Sequence, residues 1–108
     1  MIRSFADREA EAFFHGRYAP RLPANIQRLA QRKLRQLHAA EDLRDLAAPP
    51  GNRLEALRGS RAGQHGVRIS PAEARPWQGT GGRGQWRLCF DRKDGAAERV
   101  EIVDYHQG

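Results

Sequence analysis

The chain has 108 residues, with 19 Lys and Arg against 13 Asp and Glu, a formal net charge of +6 and a single cysteine. That length suits one domain with a core able to fold without disulfides, and a lone cysteine excludes an internal disulfide framework while fitting a reducing cytosol. No apolar run reaches the roughly 18 residues of a membrane-crossing helix, and Met1-Ile2-Arg3-Ser4-Phe5 lacks the apolar core of a signal peptide. Of the cationic side chains, 17 are Arg, a planar fork that matches phosphate better than the point charge of Lys. The composition therefore favours a polyanionic partner, most simply nucleic acid, over a membrane.

In chain order, residues 1–5 predict a short strand carrying Ile2 and Phe5, with Ser4 and Asp7 available as caps for the next element. Asp7 to His15 predicts a helix with Ala10, Phe13 and Phe14 on one stripe, ended by Gly16. A basic loop with Pro20 leads to the strongest helical pattern, from Pro23 to about Ala40. Pro in a first turn costs no hydrogen bond. Ile26, Leu29, Ala30, Leu34 and Leu37 share one face of it, Arg28, Arg32 and Arg35 the opposite face, and Lys33 lies within the apolar stripe, where a snorkelling side chain is expected. Glu41 to Ala47 predicts a second, shorter helix with acidic residues at its N-terminus, stopped by Pro49-Pro50-Gly51.

The pattern then changes to strand. Residues 52–58 and 64–69 predict two strands around a Gly59–Gly63 turn, with Val67 and Ile69 facing one way and Arg68 the other. Residues 70–84 hold two prolines and four glycines, too many for a regular element. Their Gly79-Thr80-Gly81-Gly82-Arg83-Gly84 run lacks the preceding strand, following helix and Lys of a phosphate cradle. The chain closes on a predicted hairpin. Trp86, Leu88 and Phe90 alternate with Gln85, Arg87 and Cys89, an Asp94-Gly95 turn comes next, and the returning strand runs through Val100, Ile102 and Val103 into Asp104-Tyr105-His106. Helices early and strands late give an α+β class: one domain over 1–108, an N-terminal strand and helices packed on one face of an antiparallel or mixed sheet of about 4–5 strands.

The opposite sheet face is expected to be open and cationic, with Arg68 and Arg87 on it, Arg58 at a strand end, His65 beside it and Asp104, Tyr105 and His106 at its rim. A concave Arg surface with one imidazole suits metal-free cleavage of an RNA phosphodiester. That reaction needs a base for the 2′-OH, an acid for the leaving 5′-oxygen and cations for the charge growing on phosphorus. His106 is the natural acid or base, Arg87 the cation, Tyr105 a group to stack on a base or orient the phosphate, and Asp104 an orienting group or proton carrier. Which of the three terminal residues is acid and which base stays open. The scattered His15, His38 and His65 show no metal-ligand spacing and no CxxC or HExxH occurs, so neither a metal nor another cofactor is expected. Cys89 reads as structural.

Several stretches together resemble one known family: Met1-Ile2-Arg3-Ser4-Phe5, Arg32-Lys33-Leu34, Leu43-Arg44-Asp45-Leu46, Pro49 to Leu57, Gly63-Gln64-His65, Gln85 to Phe90 and Val100 to His106. In order and spacing they look like the HigB toxins of the RelE/ParE superfamily. The resemblance implies a cytoplasmic bacterial toxin that cuts mRNA on the ribosome. It implies neutralisation by a HigA-like helix-turn-helix antitoxin, with operator DNA reached only through the antitoxin complex. It places the catalytic groups at Arg87, Asp104, Tyr105 and His106 and a basic residue at Arg58, while Glu55 stands where a member carries His; Arg58, and on the reading of the sheet face Arg68 and His65, are the expected RNA contacts. The same superfamily also hosts ParE-like gyrase poisons without RNase activity, and an inactive homologue serving as antitoxin-binding co-repressor is a third reading. The 70–84 segment is longer than the tight turn typical of the family. It adds contacts through Arg75, Trp77 and Arg83, obstructs the site, or is an inert insertion.

Overall fold

The structure is a computed structural model and describes residues 1–17, 24–48, 52–69 and 86–104, with only the backbone of Asn25 and Asp104. The expected 70–84 loop, Pro23, the Pro49-Pro50-Gly51 stop, Gln85, Tyr105 and His106 lie outside the described residues. Three α-helices precede the sheet: α1 (Arg8–Phe14), α2 (Ala24–Ala39) and α3 (Leu43–Ala47). Strands β1 (Glu55–Ala56), β2 (Gln64–Arg68), β3 (Trp86–Lys93) and β4 (Ala96–Asp104) form an antiparallel sheet in the order β1-β2-β3-β4. The N-terminal segment lies parallel to β4, bridging Ile2 to Ala97 and Phe5 to Val100. The expected α+β layering is present, and the strand expected over residues 1–5 is reduced to these two isolated bridges.

The helices form for the reasons the sequence suggests. Asp7 caps α1 by accepting from the Glu9 N–H at 2.9 Å, and Asp42 with Asp45 makes a capping box on α3. Two backbone N–H bonds, from Glu41 and then Asp42, hold the Asp45 carboxyl below its ordinary pKa. The apolar stripe of α2 supplies Ile26, Ala30, Leu34 and Leu37 to a core closed by Ala10 and Phe13 from α1, and by Val67, Leu88, Phe90, Val100 and Ile102 from the sheet. Fully burying a Leu or Phe contributes about 1.5–3 kcal/mol each.

The Asp7 carboxylate does a second job, because its other oxygen accepts from the Ile102 N–H of β4 at 3.2 Å. An Asp7→Ala substitution is therefore expected to cost about 1–2 kcal/mol, the upper part of the range for a lost N-cap. Urea denaturation at neutral pH measures it; an unchanged midpoint would show that α1 holds to β4 without this residue.

The hairpin turn has positive φ at both Asp94 and Gly95, 52° and 77°, as a two-residue turn matching strand twist requires. The return strand begins earlier than its apolar pattern suggests. A bulge at Arg99, φ 51°, shifts the register between Cys89 and Asp91 and moves the core-facing phase from Ala97 to Val100. The Arg99 N–H donates to Ser4 Oγ at 2.9 Å and its Nε to Asp91 at 2.6 Å.

Two local expectations are corrected. The strand expected over 52–58 shrinks to Glu55–Ala56, because Arg53 sits at φ 46° and breaks the extended run. Asn52 turns inward and is fully buried. Lys33 does not snorkel: its ammonium donates to Asn52 Oδ1, and burial, with the Arg32 charge, lowers its pKa.

Candidate active site on the sheet face

Strand periodicity assigns the two faces. In β3, Trp86, Leu88 and Phe90 point to the helices, so Arg87, Cys89 and Asp91 point away. Register adds their neighbours: Arg68 lies opposite Arg87, Gly66 opposite Cys89, Glu55 opposite Gly66, and Glu101 and Val103 opposite Cys89 and Arg87.

This face is less open than its sequence suggests. Leu57 folds over Gly66 and is buried; a Cβ on Gly66 would stand 3.2 Å from Leu57 Cδ2, so the residue without a side chain is what admits Leu57 here. Cys89 is fully buried beneath two ion pairs, Arg87 Nη1 to Glu55 Oε1 at 3.0 Å and Arg61 Nη1 to Glu101 Oε2 at 2.9 Å. Burial pushes the Cys89 thiol up to about 11. Only thiolate is nucleophilic, so native Cys89 is expected to resist iodoacetamide at pH 8 for hours and to react promptly in denaturant. Mass spectrometry after timed quenching checks this, and rapid native labelling would contradict the packing described.

Arg87 is held by the sheet. Its side chain is 13% exposed, against 47% for Glu55, so the guanidinium is fixed at the floor of the face and the carboxylate lies at its lip. Arg68, directly across, has a lowered pKa, first from burial and then from the charges of Arg53 and Arg87. Like charges directly opposite on a sheet are destabilising, and this cationic cluster, kept against that cost, makes the face a candidate site for an anion. Beside it lies a polar cleft of about 370 Å³ lined by Ser60, Arg61, Gln64, Asp91, Arg99 and Glu101. Its two arginines meet carboxylates, Arg61 with Glu101 and Arg99 with Asp91.

The remaining candidates fall in different places. Arg58 is exposed at the end of β1, extended ahead of the turn Gly59–Arg61. His65 is not beside Arg87. It pairs with Phe90 in register and stacks on that ring at 6.0 Å, which puts it on the helix side of the sheet with Nδ1 buried. One residue of register separates it from the cationic face, a parity invisible until the β2–β3 pairing is known. Asp104 ends β4 with its backbone opposite Trp86, one step from the Arg87–Val103 pair. Among the described residues no three His, Cys, Asp or Glu side chains are grouped as metal ligands, and no helix is long and apolar enough to cross a membrane. Sequence reasoning passed over Glu55 as a partner for Arg87 and did not single out Arg53. The former was not readable from the sequence, since Glu55 on β1 and Arg87 on β3 come to one face only through the register each strand keeps with β2.

Comparison with known proteins bears on this arrangement. Residues 3–106 match the family model described as the RelE-like toxin of type II toxin-antitoxin system HigB. The chain belongs to the HigB family. A curated relative, Toxin HigB-1 of Vibrio cholerae serotype O1 (strain ATCC 39315 / El Tor Inaba N16961), is 35% identical over 98 residues, covering 90% of this chain and 90% of its own length. As a HigB toxin of a type II toxin-antitoxin system the chain has an antitoxin as its partner. The N-terminal segment, three helices and four-stranded sheet are thus the small α+β framework on which a HigB toxin carries Arg87 and its neighbours.

Proposed function

We propose that this HigB toxin is an endoribonuclease that cuts mRNA on the ribosome and is neutralised by a helix-turn-helix antitoxin of the HigA type. The observation that carries the reading is the Arg68–Arg87 pair on the sheet face, one register step from the strand end at Asp104 that leads into Tyr105 and His106. A phosphodiester entering this face meets two guanidinium groups carried on neighbouring strands. The ribose 2′-oxygen attacks phosphorus, a base takes its proton, the bond from phosphorus to the 5′-oxygen breaks, and an acid protonates that oxygen. The products are a 2′,3′-cyclic phosphate and a 5′-hydroxyl.

Arg87 supports the charge that grows on the non-bridging oxygens, where a fixed donor is most effective because it needs no reorganisation. His106 fits the role of acid or base near neutral pH, with Asp104 and Tyr105 to orient it, carry a proton or stack on a base. Arg58 and Arg68 bind the RNA backbone. Glu55 orients Arg87 in the free toxin and yields it to the incoming phosphate.

Incubation of the purified chain with a defined mRNA, with and without translating ribosomes, tests this. Cuts bearing a 5′-hydroxyl that appear only on translating ribosomes are expected. Intact mRNA in both arms, with gyrase-dependent breaks in plasmid DNA, would replace the reading with the ParE-like one.

A further inference from the structure

We infer that Arg53 completes a phosphate cradle with Arg68 and Arg87, gripping the RNA phosphodiester adjacent to the one that is cut. The inference rests on the RNA-cleaving reading and adds to it a second phosphate position and a residue to hold it.

The first observation is the backbone. Arg53 is at φ 46°, in the left-handed region that side-chain-bearing residues rarely adopt and that recurs at ligand-holding sites. It is held there from both sides. Asn52 is buried and bonded to Lys33, Gln36 and the Leu46 carbonyl, and Leu54 packs against the core. Between two residues drawn inward, Arg53 is turned out to solvent.

The second observation is charge. Glu55 pairs with Gly66, so the chain two residues back, at Arg53, comes level with Arg68, which itself faces Arg87, and the charges of Arg53 and Arg87 both lower the Arg68 pKa. Among the described residues no carboxylate pairs with Arg53 or Arg68. The neighbouring cleft shows the alternative, with Arg61 and Arg99 each on a carboxylate. One side of this face is thus neutralised internally, and the other gathers cations around a partly buried arginine. A single-stranded backbone supplies an anion at each nucleotide, and Arg forks suit phosphate oxygens. With Arg87 committed to the scissile phosphate, Arg68 between the two and Arg53 beyond it address the next one along.

The probe is a short 2′-O-methylated RNA, which lacks the attacking hydroxyl, bound to the purified full chain and followed by fluorescence anisotropy over a range of salt. Arg53→Asn removes the charge while tolerating positive φ. Arg53→Lys keeps the charge and loses the fork. The expected results are about fivefold weaker binding by Arg53→Asn with a salt slope shallower by about 0.7, an unchanged slope for Arg53→Lys, and a non-additive loss when Arg53→Asn is combined with Arg68→Gln. Wild-type affinity and slope in Arg53→Asn, or strict additivity with Arg68→Gln, would overturn the cradle. Because the probe cannot be cut, Arg53-dependent binding by a chain that leaves mRNA intact would keep the cradle and remove the nuclease. Undiminished mRNA cleavage with Arg53-independent binding would do the reverse.

Discussion

Replacing Arg87 with Gln is expected to lower mRNA cleavage by about a hundred- to a thousandfold, the loss typical of removing one fixed donor from a developing oxyanion. Lys at the same position is expected to restore little of it, since a flexible ammonium reproduces the charge but not the two-pronged geometry. The protein is expected to stay folded in both variants. The Arg87–Glu55 pair is worth little to stability because Glu55 is about half exposed, and removing Arg87 also relieves its repulsion with Arg68. Thermal melting should therefore shift by only a few degrees while single-turnover cleavage collapses. A variant that cuts at the wild-type rate would show that Arg87 is an ordinary structural cation, and one that unfolds would show that the pair over Cys89 holds the sheet together.

The largest effect on stability is expected at Asn52, far from any catalytic role. Its side chain is fully buried and serves three groups at once. Oδ1 accepts from the Lys33 ammonium, and Nδ2 donates to Gln36 Oε1 at 3.3 Å and to the Leu46 carbonyl at 2.9 Å, near the C-terminal end of α3. Asn52→Ala leaves a partly buried ammonium and a helix-terminal carbonyl without this partner. At about 1–3 kcal/mol for each orphaned group, more for a charged one, the loss should reach about 3–4 kcal/mol. Such a loss is a large fraction of the roughly 5–15 kcal/mol that holds a domain folded. Lys33→Met made alongside it should recover part of that loss, because the ammonium no longer lacks an acceptor. Urea titrations of the two single variants and the double variant measure the coupling, and simple additivity would mean that Lys33 and Asn52 do not act together.

Arg87 and Asn52 differ in how far the chain alone reveals them. The architecture was legible because its signals are local: the stripe from Ile26 to Leu37, the cap at Asp7, the Asp94-Gly95 turn, and the alternation of Trp86, Leu88 and Phe90. Arg87 was legible too, as the cation out of phase with its strand. The roles of Asn52 and Arg53 were not, because each depends on non-local contacts. A polar residue in a polar stretch gives no hint that three elements close around it, and nothing in Asn52-Arg53-Leu54 announces a left-handed backbone at an arginine. The His65 error has the same root. Within its own strand His65 sits next to the cationic positions, and only pairing with Phe90 fixes which face it takes.

The central claim is that the Arg87 face of this HigB toxin, with His106, cuts RNA during translation. Mapping transcript 5′ ends across the transcriptome after induction of the wild type and of His106→Ala tests it most directly. New 5′-hydroxyl ends within translated reading frames of the wild type, absent from the variant at equal protein level, are the predicted result. The same ends in both strains, or growth arrest with unbroken transcripts and broken chromosomal DNA, would contradict it.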